Sequence, residues 1–277
     1  MKKNYPIGIF DSGVGGLSVV KEIHASSPNL PISYFADQIH VPYGSRNMEE
    51  IRLFSAGITR FLITQGARVV VVACNTASAA ALKDLRFQFP EVSFVGMEPA
   101  IKPAAEYTKS GIVGVLATPA TFQGLLYASV VQRFGQGVTL LQSTCPGLVQ
   151  QIERGDLNSK TTRQILDEAL TPMLIKGIDA VVLGCTHYPF VISLIREIVG
   201  PEVRIIDPSP AVAKQTIKVL ESLGGTFSDQ IRVKNLFYTS GDKTEFKQFL
   251  TTIVGISGSV GECKWVDGIL QLKLISS

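Results

Sequence analysis

The stretch Val69-Val70-Val71-Val72-Ala73-Cys74-Asn75-Thr76-Ala77-Ser78 decides the fold of this chain. Four consecutive valines predict a buried parallel strand, because β-branched side chains suit a strand that is covered on both faces. The run ends at a thiol, an amide and a hydroxyl, and a helix is predicted to begin at Ala77. Cys74 is therefore expected at the carboxyl end of a central strand and at a helix N-terminus. Open α/β sheets bind ligands at such places, and thiol pKa values fall there.

A second stretch repeats this pattern later in the chain. Ala180-Val181-Val182-Leu183-Gly184-Cys185-Thr186-His187 again leads from an apolar strand to a cysteine with polar neighbours. Strands alternate with helices along the whole sequence, which predicts parallel sheets joined by right-handed crossovers. The spacing of the two strand-cysteine units predicts an α/β fold built from two similar halves.

The repeat also suggests how the chain is divided. The two halves are expected at residues 1–97 and 98–207. The remaining segment carries its own helix-strand pattern, but about 70 residues would form a thin core alone. We therefore expect a first lobe formed by residues 1–97 plus 208–277 and a second lobe formed by residues 98–207.

Composition excludes several classes of protein. The 277 residues are 45% hydrophobic and 18% charged, which allows a large core and argues against disorder. The net charge of +3 comes without a basic run interleaved with aromatics, so no nucleic-acid partner is expected. No apolar stretch approaches the ~18 residues of a membrane span, and the first one ends at Asp11, too early for a signal peptide. We expect a cytoplasmic protein whose four cysteines are reduced.

A glycine-rich turn, Asp11-Ser12-Gly13-Val14-Gly15-Gly16, follows the first predicted strand. It departs from the dinucleotide-binding fingerprint because Ser18 stands where the last glycine is required, and no P-loop lysine follows. We interpret the turn as a carboxylate and a hydroxyl placed at a strand end, with backbone N–H groups open to an anion. The alternative is a plain tight turn into a helix.

The two strand-end cysteines are predicted to be functional, although buried free cysteine is often inert. A zinc site would need a second ligand pair, and a redox disulfide would need a resolving motif; neither is present. His187, two residues after Cys185, is a candidate acid/base or thiol activator, with a structural hydrogen-bonding role as the alternative. Glu153 is a possible further contributor, with a solvated helix-end carboxylate as the alternative. Cys145 and Cys263 are predicted to be structural.

Five stretches resemble the signature sequences of the glutamate racemases, in the family's order. They are residues 10–16, 42–44, 73–78, 96–100 and 184–189. The two cysteine stretches are specific markers, whereas the glycine turn alone would be weak. The related aspartate and hydantoin racemases usually carry histidine where Ser78 stands and glutamate where His187 stands, which favours glutamate as the substrate.

The resemblance implies conversion between L- and D-glutamate with no cofactor and no metal. It also implies two lobes related by a pseudo-twofold axis, with the active site in the cleft between them. Cys74 and Cys185 would face each other across the substrate, one removing the α-proton and the other returning one. Each sulfur would lie ~3–3.5 Å from the carbon, so the two would be roughly 6–7 Å apart. By resemblance, Asp11 assists Cys74 and His187 assists Cys185, with Glu153 a possible contributor.

The residues predicted to hold the substrate are hydroxyls, an amide and loop residues near strand ends. They are Ser12, Pro42, Tyr43, Gly44, Asn75, Thr76, Thr118, Thr121 and Thr186. The family further implies supply of D-glutamate for peptidoglycan, and a homodimer. Three alternatives stay open: an aspartate or hydantoin racemase, a non-catalytic two-lobed amino-acid-binding protein, and a thiol redox enzyme. The second has no use for paired thiols, and the third needs two sulfurs able to bond.

Overall fold

The computed structural model describes residues 5–224 and 234–273. Its strands are β1 (Ile7–Asp11), β2 (Ile32–Ala36), β3 (Val69–Val72), β4 (Ser93–Gly96), β5 (Ile112–Ala117), β6 (Thr139–Ser143), β7 (Ala180–Gly184), β8 (Arg204–Ile206), β9 (Leu236–Thr239), β10 (Ser259–Val266) and β11 (Ile269–Leu272). Its α-helices are α1 (Leu17–Ser26), α2 (Met48–Thr64), α3 (Asn75–Gln88), α4 (Ile101–Tyr107), α5 (Pro119–Gln123), α6 (Leu125–Phe134), α7 (Leu148–Glu153), α8 (Lys160–Ile175), α9 (Ile192–Val199), α10 (Ser209–Ser222) and α11 (Lys243–Phe249).

The strands form two sheets, and each sheet defines one lobe. The first lobe has the strand order β11-β10-β9-β2-β1-β3-β4, and the second has β6-β5-β7-β8. Neighbouring strands are parallel except for the β10–β11 pair. The order β2-β1-β3-β4 recurs as β6-β5-β7-β8, so each candidate cysteine follows the equivalent strand of its sheet. The predicted α/β class with two parallel-sheet lobes is confirmed.

The C-terminal segment extends the first sheet. Strand β9 pairs with β2, and β10 pairs with β9, both in parallel register. Residues 236–266 therefore return to the lobe that holds the N-terminus. The lobe boundaries at residues 97 and 207 stay a prediction.

The core is built around the two strands that precede the cysteines. Val69–Val72 and Ala180–Leu183 are fully buried, which explains why both read as continuous apolar runs.

None of the helices within the described ranges is long and apolar enough to cross a membrane.

Local signals place the helix ends. Asn47 with Glu50 three residues later predicts a capping box at the start of α2. The structure has it: the Asn47 side chain accepts the N–H of Glu50 at 2.9 Å, and the Glu50 side chain accepts the N–H of Asn47. The sequence of residues 189–198 predicts a helix, which instead begins as a 3₁₀ turn, Tyr188–Val191, before α9. In this turn the N–H groups of Tyr188 and Phe190 donate to carbonyls three residues back, at Cys185 and His187.

Candidate active site

The two strand-end cysteines line one pocket between the lobes. The pocket walls are formed by Ser12, Pro42, Tyr43, Gly44, Cys74, Asn75, Thr76, Thr118, Val149, Cys185, Thr186 and His187. Both cysteines are free thiols. A wider polar cleft opens on the far side of Glu153, but no thiol lines it. We therefore place the chemistry in the smaller pocket, where two polar strand ends converge.

Cys74 is held at the start of α3. It is the N-cap residue, with extended backbone angles, and its Sγ accepts the N–H of Ala77 at 3.4 Å. Burial raises the pKa of Cys74 well above its ordinary value, and the charge of Asp11 raises it further. The N–H of Ala77 opposes this but does not outweigh it. The helix N-terminus therefore lowers this pKa as expected, but the net shift is upward, because desolvation of a fully buried thiolate exceeds one amide contact.

Asp11, the last residue of β1, touches both thiol units. One carboxylate oxygen accepts the N–H and the hydroxyl of Ser12 at 2.6 and 3.1 Å. The other accepts the hydroxyl of Thr186 at 2.9 Å, from the opposite lobe. Burial raises the pKa of Asp11, while the charge of His187 and hydrogen bonds from Cys74 and Thr186 oppose the rise. Asp11 is thus beside Cys74 as predicted, and it also ties the two lobes together.

Cys185 belongs to a thiol–imidazole–carboxylate chain. His187 Nδ1 lies 3.8 Å from Sγ of Cys185, and its Nε2 lies 2.6 Å from Oε1 of Glu153. Burial lowers the pKa of His187, but hydrogen bonds and charges from Cys185 and Glu153 together raise it well above its ordinary value. The surroundings of the ring therefore favour its charged form. Glu153 is 11% exposed and so is not the solvated helix-end carboxylate that the sequence left open.

The glycine turn does receive an anion, and that anion is the chain's own Glu153. Oε1 of Glu153 accepts the N–H of Val14 at 2.7 Å, and Oε2 accepts the side-chain amide of Gln38 at 2.9 Å. A Cβ atom at Gly13 would overlap Oε1 of Glu153, and one at Gly15 would overlap Nδ1 of His187. The glycines are therefore needed so that two side chains of the second lobe can approach the backbone of the first.

Three threonine hydroxyls meet where the lobes touch. Thr76 lies 2.8 Å from Thr118, which lies 2.9 Å from Thr121. Thr118 also caps α5 by accepting the N–H of Thr121 at 3.2 Å. Of the two threonines on α5 and its cap, only Thr118 lines the pocket; Thr121 is 1% exposed and lies behind it. Thr118 therefore belongs to the pocket wall, and Thr121 supports Thr118 from behind.

Asn75 presents an unused side-chain amide to the pocket. It is 2% exposed, and neither its Oδ1 nor its Nδ2 has a hydrogen-bond partner. Leaving such a buried group unpaired costs ~1–3 kcal/mol per donor or acceptor. A ligand with one donor and one acceptor within reach would recover this free energy, so Asn75 is the clearest binding group in the pocket.

The loop after β2 closes one side of the pocket. Tyr43 donates its hydroxyl to Asp37 at 2.6 Å, which fixes the turn Tyr43–Ser45. A Cβ atom at Gly44 would lie 2.7 Å from Cβ of Thr118, so the loop can reach the second lobe only with glycine there. Pro42 completes this wall.

Sequence reasoning missed three residues near the pocket. Val149 on α7 lines it, Gln38 binds Glu153, and Asp37 binds Tyr43. A single valine in an apolar helix carries no functional signal. The two loop residues carried a weak signal, because Asp37 directly follows a predicted strand. Gln38, however, binds a residue more than 100 positions away, so its contact depends on tertiary packing.

The remaining cysteines are outside the chemistry. Burial raises the pKa of Cys145 and of Cys263 to about 12 each, so both stay protonated. This agrees with their predicted structural role. Within residues 5–224 and 234–273, no three His, Cys, Asp or Glu side chains are grouped as ligands for a metal ion.

Comparison with known sequences relates most of the chain to one family. The family model described as Asp/Glu/Hydantoin racemase matches residues 7–216. Glutamate racemase from Roseiflexus sp. (strain RS-1) is 50% identical over 219 residues, which is 79% of this chain and 80% of that protein.

Solved structures show the same relationship. Glutamate racemase isoform RacE1 from Bacillus anthracis superposes with a TM-score of 0.84 at 31% identity, covering 96% of this chain and 99% of that one. Escherichia coli glutamate racemase, solved with L-glutamate and the activator UDP-MurNAc-ala, superposes with a TM-score of 0.81 at 30% identity, covering 93% and 97%.

Proposed function

Because the chain belongs to the Asp/Glu/hydantoin racemase family, we propose that this isomerase interconverts L- and D-glutamate by direct proton transfer at the α-carbon, without a cofactor. The observation that carries the proposal is one pocket lined by two free thiols and an unpartnered amide. Similar proteins over most of the chain are named glutamate racemases, and the Escherichia coli structure holds L-glutamate. Ser78 and His187, which set the chain apart from the aspartate-type pattern, agree with this substrate.

Two thiols suit racemisation because the proton leaves one face of the carbon and arrives on the other. In one direction, a thiolate at Cys185 takes the α-proton and becomes a thiol, leaving the electron pair on the substrate. The thiol of Cys74 then gives its proton to the opposite face and becomes a thiolate. No oxidant or reductant is required, and the reverse reaction restores the starting protonation states.

The neighbours of each thiol support this assignment of Cys185 as the base and Cys74 as the acid. The raised pKa of Cys74, caused by burial and by Asp11, keeps that thiol protonated and ready to act as an acid. His187 Nδ1 lies 3.8 Å from Cys185 Sγ, so the ring is placed to exchange a proton with that thiol. Glu153 in turn holds the ring in place.

Neutral groups hold the substrate in this proposal. The pocket wall carries no lysine or arginine, and Arg46 donates instead to the carbonyl of His40 at 2.6 Å. The amide of Asn75 and the hydroxyls of Ser12, Thr76, Thr118 and Thr186 therefore meet the substrate's polar groups. Hydrogen bonds that strengthen as charge moves onto the α-carboxylate would offset the weak acidity of the α-proton.

The biological setting follows from the family. We propose that the product D-glutamate supplies peptidoglycan synthesis, and that the protein works in the cytoplasm. All four cysteines are free and buried, which suits a reducing compartment. The homodimer expected from the family stays a prediction.

The proposal is tested by incubating the purified protein with L-glutamate in heavy water, with no cofactor added. We expect optical rotation to decay to zero and deuterium to appear at the α-carbon. Parallel incubation with L-aspartate should give much slower change. Absence of both rotation change and label with glutamate would remove the racemase proposal, and faster turnover of aspartate would reassign the substrate.

A further inference from the structure

Asp37, directly after β2, is a buried carboxylate that binds groups from three parts of the chain. It is fully buried. Oδ2 accepts the hydroxyl of Tyr43 at 2.6 Å and lies 2.9 Å from Nδ1 of His40. Oδ1 accepts the hydroxyl of Ser240 at 2.9 Å and the indole N–H of Trp265 at 2.8 Å. Both oxygens of the Asp37 carboxylate are therefore occupied by contacts with neighbouring side chains.

Asp37 is outside the pocket wall, yet it is connected to the site in two ways. Its own N–H donates to the carbonyl of Asp11 at 3.0 Å, at the end of the neighbouring strand β1. Through Tyr43 it fixes the turn that also contains Gly44, which approaches Thr118 of the second lobe. A shift of this turn would widen the pocket on the side where Thr118 and Thr76 meet.

From this geometry we propose that Asp37 is a positioning residue for glutamate binding, and that Trp265 of the C-terminal segment completes it. The inference rests on the proposed racemase function. Trp265 packs against the rings of Phe54 and His40, with centroids 5.8 and 5.6 Å away. These contacts immobilise the indole, so its N–H holds Asp37 in one orientation. The C-terminal strands thereby set the position of a pocket wall that they do not touch.

The first test replaces Asp37 and measures KM and kcat separately for both enantiomers. Asp37→Asn keeps the shape of the side chain but cannot accept all four hydrogen bonds. We expect KM to rise about tenfold or more, since hydrogen bonds to a buried charge are lost, with kcat changed by a smaller factor. Trp265→Phe should raise KM about threefold, because Ser240 still binds Oδ1. Tyr238→Phe is the matched control: it removes one hydroxyl bond on β9, to Gln65, and should leave KM unchanged.

A second readout needs no turnover. Trp265 is the only tryptophan in the chain, so its emission reports on Asp37. Titration with D-glutamate should change this emission in the wild-type protein. The emission should stay unchanged in Tyr43→Phe, which lacks the hydrogen bond between Asp37 and the pocket wall.

The outcomes separate the two proposals. A wild-type protein that binds D-glutamate with an emission change but does not racemise it would sink the proposed function and keep the positioning role. A folded Asp37→Asn with wild-type KM would overturn the positioning role. If Asp37→Asn does not fold, Trp265→Phe and Ser240→Ala decide, and wild-type KM in both would overturn it.

Discussion

Cys74 and Cys185 stand at equivalent places in the two sheets but differ in what surrounds them. Each follows the strand that pairs with β1 or β5 on one side and with β4 or β8 on the other. Cys74 is the N-cap of a helix that begins at once, whereas a 3₁₀ turn separates Cys185 from α9. Beside Cys74 lies a carboxylate, and beside Cys185 lies an imidazole ring whose surroundings favour its charged form.

This difference shows how a repeated backbone can hold two chemically unequal groups. The repeated strand order brings the two thiols to one pocket. The side chains that do not repeat, Asp11 on one side and His187 with Glu153 on the other, give those thiols different charges nearby. In the proposed mechanism each turnover uses one thiol as the base and the other as the acid, and the different neighbours suit those two roles.

The largest expected effect comes from removing either thiol. Cys74→Ala and Cys185→Ala should each lower kcat/KM by about 10³-fold or more, since no other group can transfer the proton on that face. Because the enantiomers have equal free energy, the loss should be the same in both directions, measured by polarimetry. Cys263→Ala, whose side chain does not line the pocket, should retain activity. Wild-type turnover in either of the first two variants would refute the two-base mechanism.

The next largest effect tests the contact between the Glu153 carboxylate and the His187 ring. Gly13→Ala would place a methyl group where Oε1 of Glu153 lies, which forces that carboxylate off His187. We expect kcat to fall about 10²-fold, as for a misplaced catalytic group, and the pKa of His187, followed by NMR, to fall as well. Gly177→Asn is the control, because its Cβ meets open space and asparagine tolerates positive φ. An unchanged His187 pKa in Gly13→Ala would show that Glu153 does not tune the ring.

A smaller effect distinguishes Thr118, which lines the pocket, from Thr121, which lies behind it. Thr118→Val removes a hydroxyl that faces the pocket, so KM should rise about tenfold, equivalent to ~1.4 kcal/mol. Thr121→Val removes a hydroxyl behind it and should change KM by less than about threefold. Steady-state kinetics on both enantiomers measures the two values. Equal changes would mean that the three-threonine cluster acts as one unit rather than through Thr118.

The smallest effect concerns the ionisation of Cys74. Asp11→Asn should lower the pKa of Cys74, because burial still raises it but the negative charge beside it is gone. The rate of Cys74 alkylation by iodoacetamide, recorded against pH by peptide mass spectrometry in a Cys185→Ala background, follows the Cys74 thiolate. The other two cysteines titrate only at about pH 12. A pKa that stays the same or rises in Asp11→Asn would contradict the assigned role of the carboxylate.

Much of the fold was predictable because its signals are local. The all-valine strand and the capping box of Asn47 and Glu50 act within a few residues. The strand-end cysteines were visible for the same reason. Details failed where the chain entered α9 through a 3₁₀ turn, at Tyr188–Val191, and where desolvation outweighed a helix terminus, at Cys74.

By itself, the sequence determined the α/β alternation, the two thiols and the residue types that would surround them, since periodicity and composition depend on neighbours along the chain. Only the tertiary structure decided which groups meet. Glu153 enters the glycine turn 139 residues away, and Trp265 binds Asp37 across 228 residues. Such contacts depend on how the two lobes and the C-terminal strands pack. The valine strand that decides the fold therefore places Cys74 in space, while packing from elsewhere decides what its thiol can do.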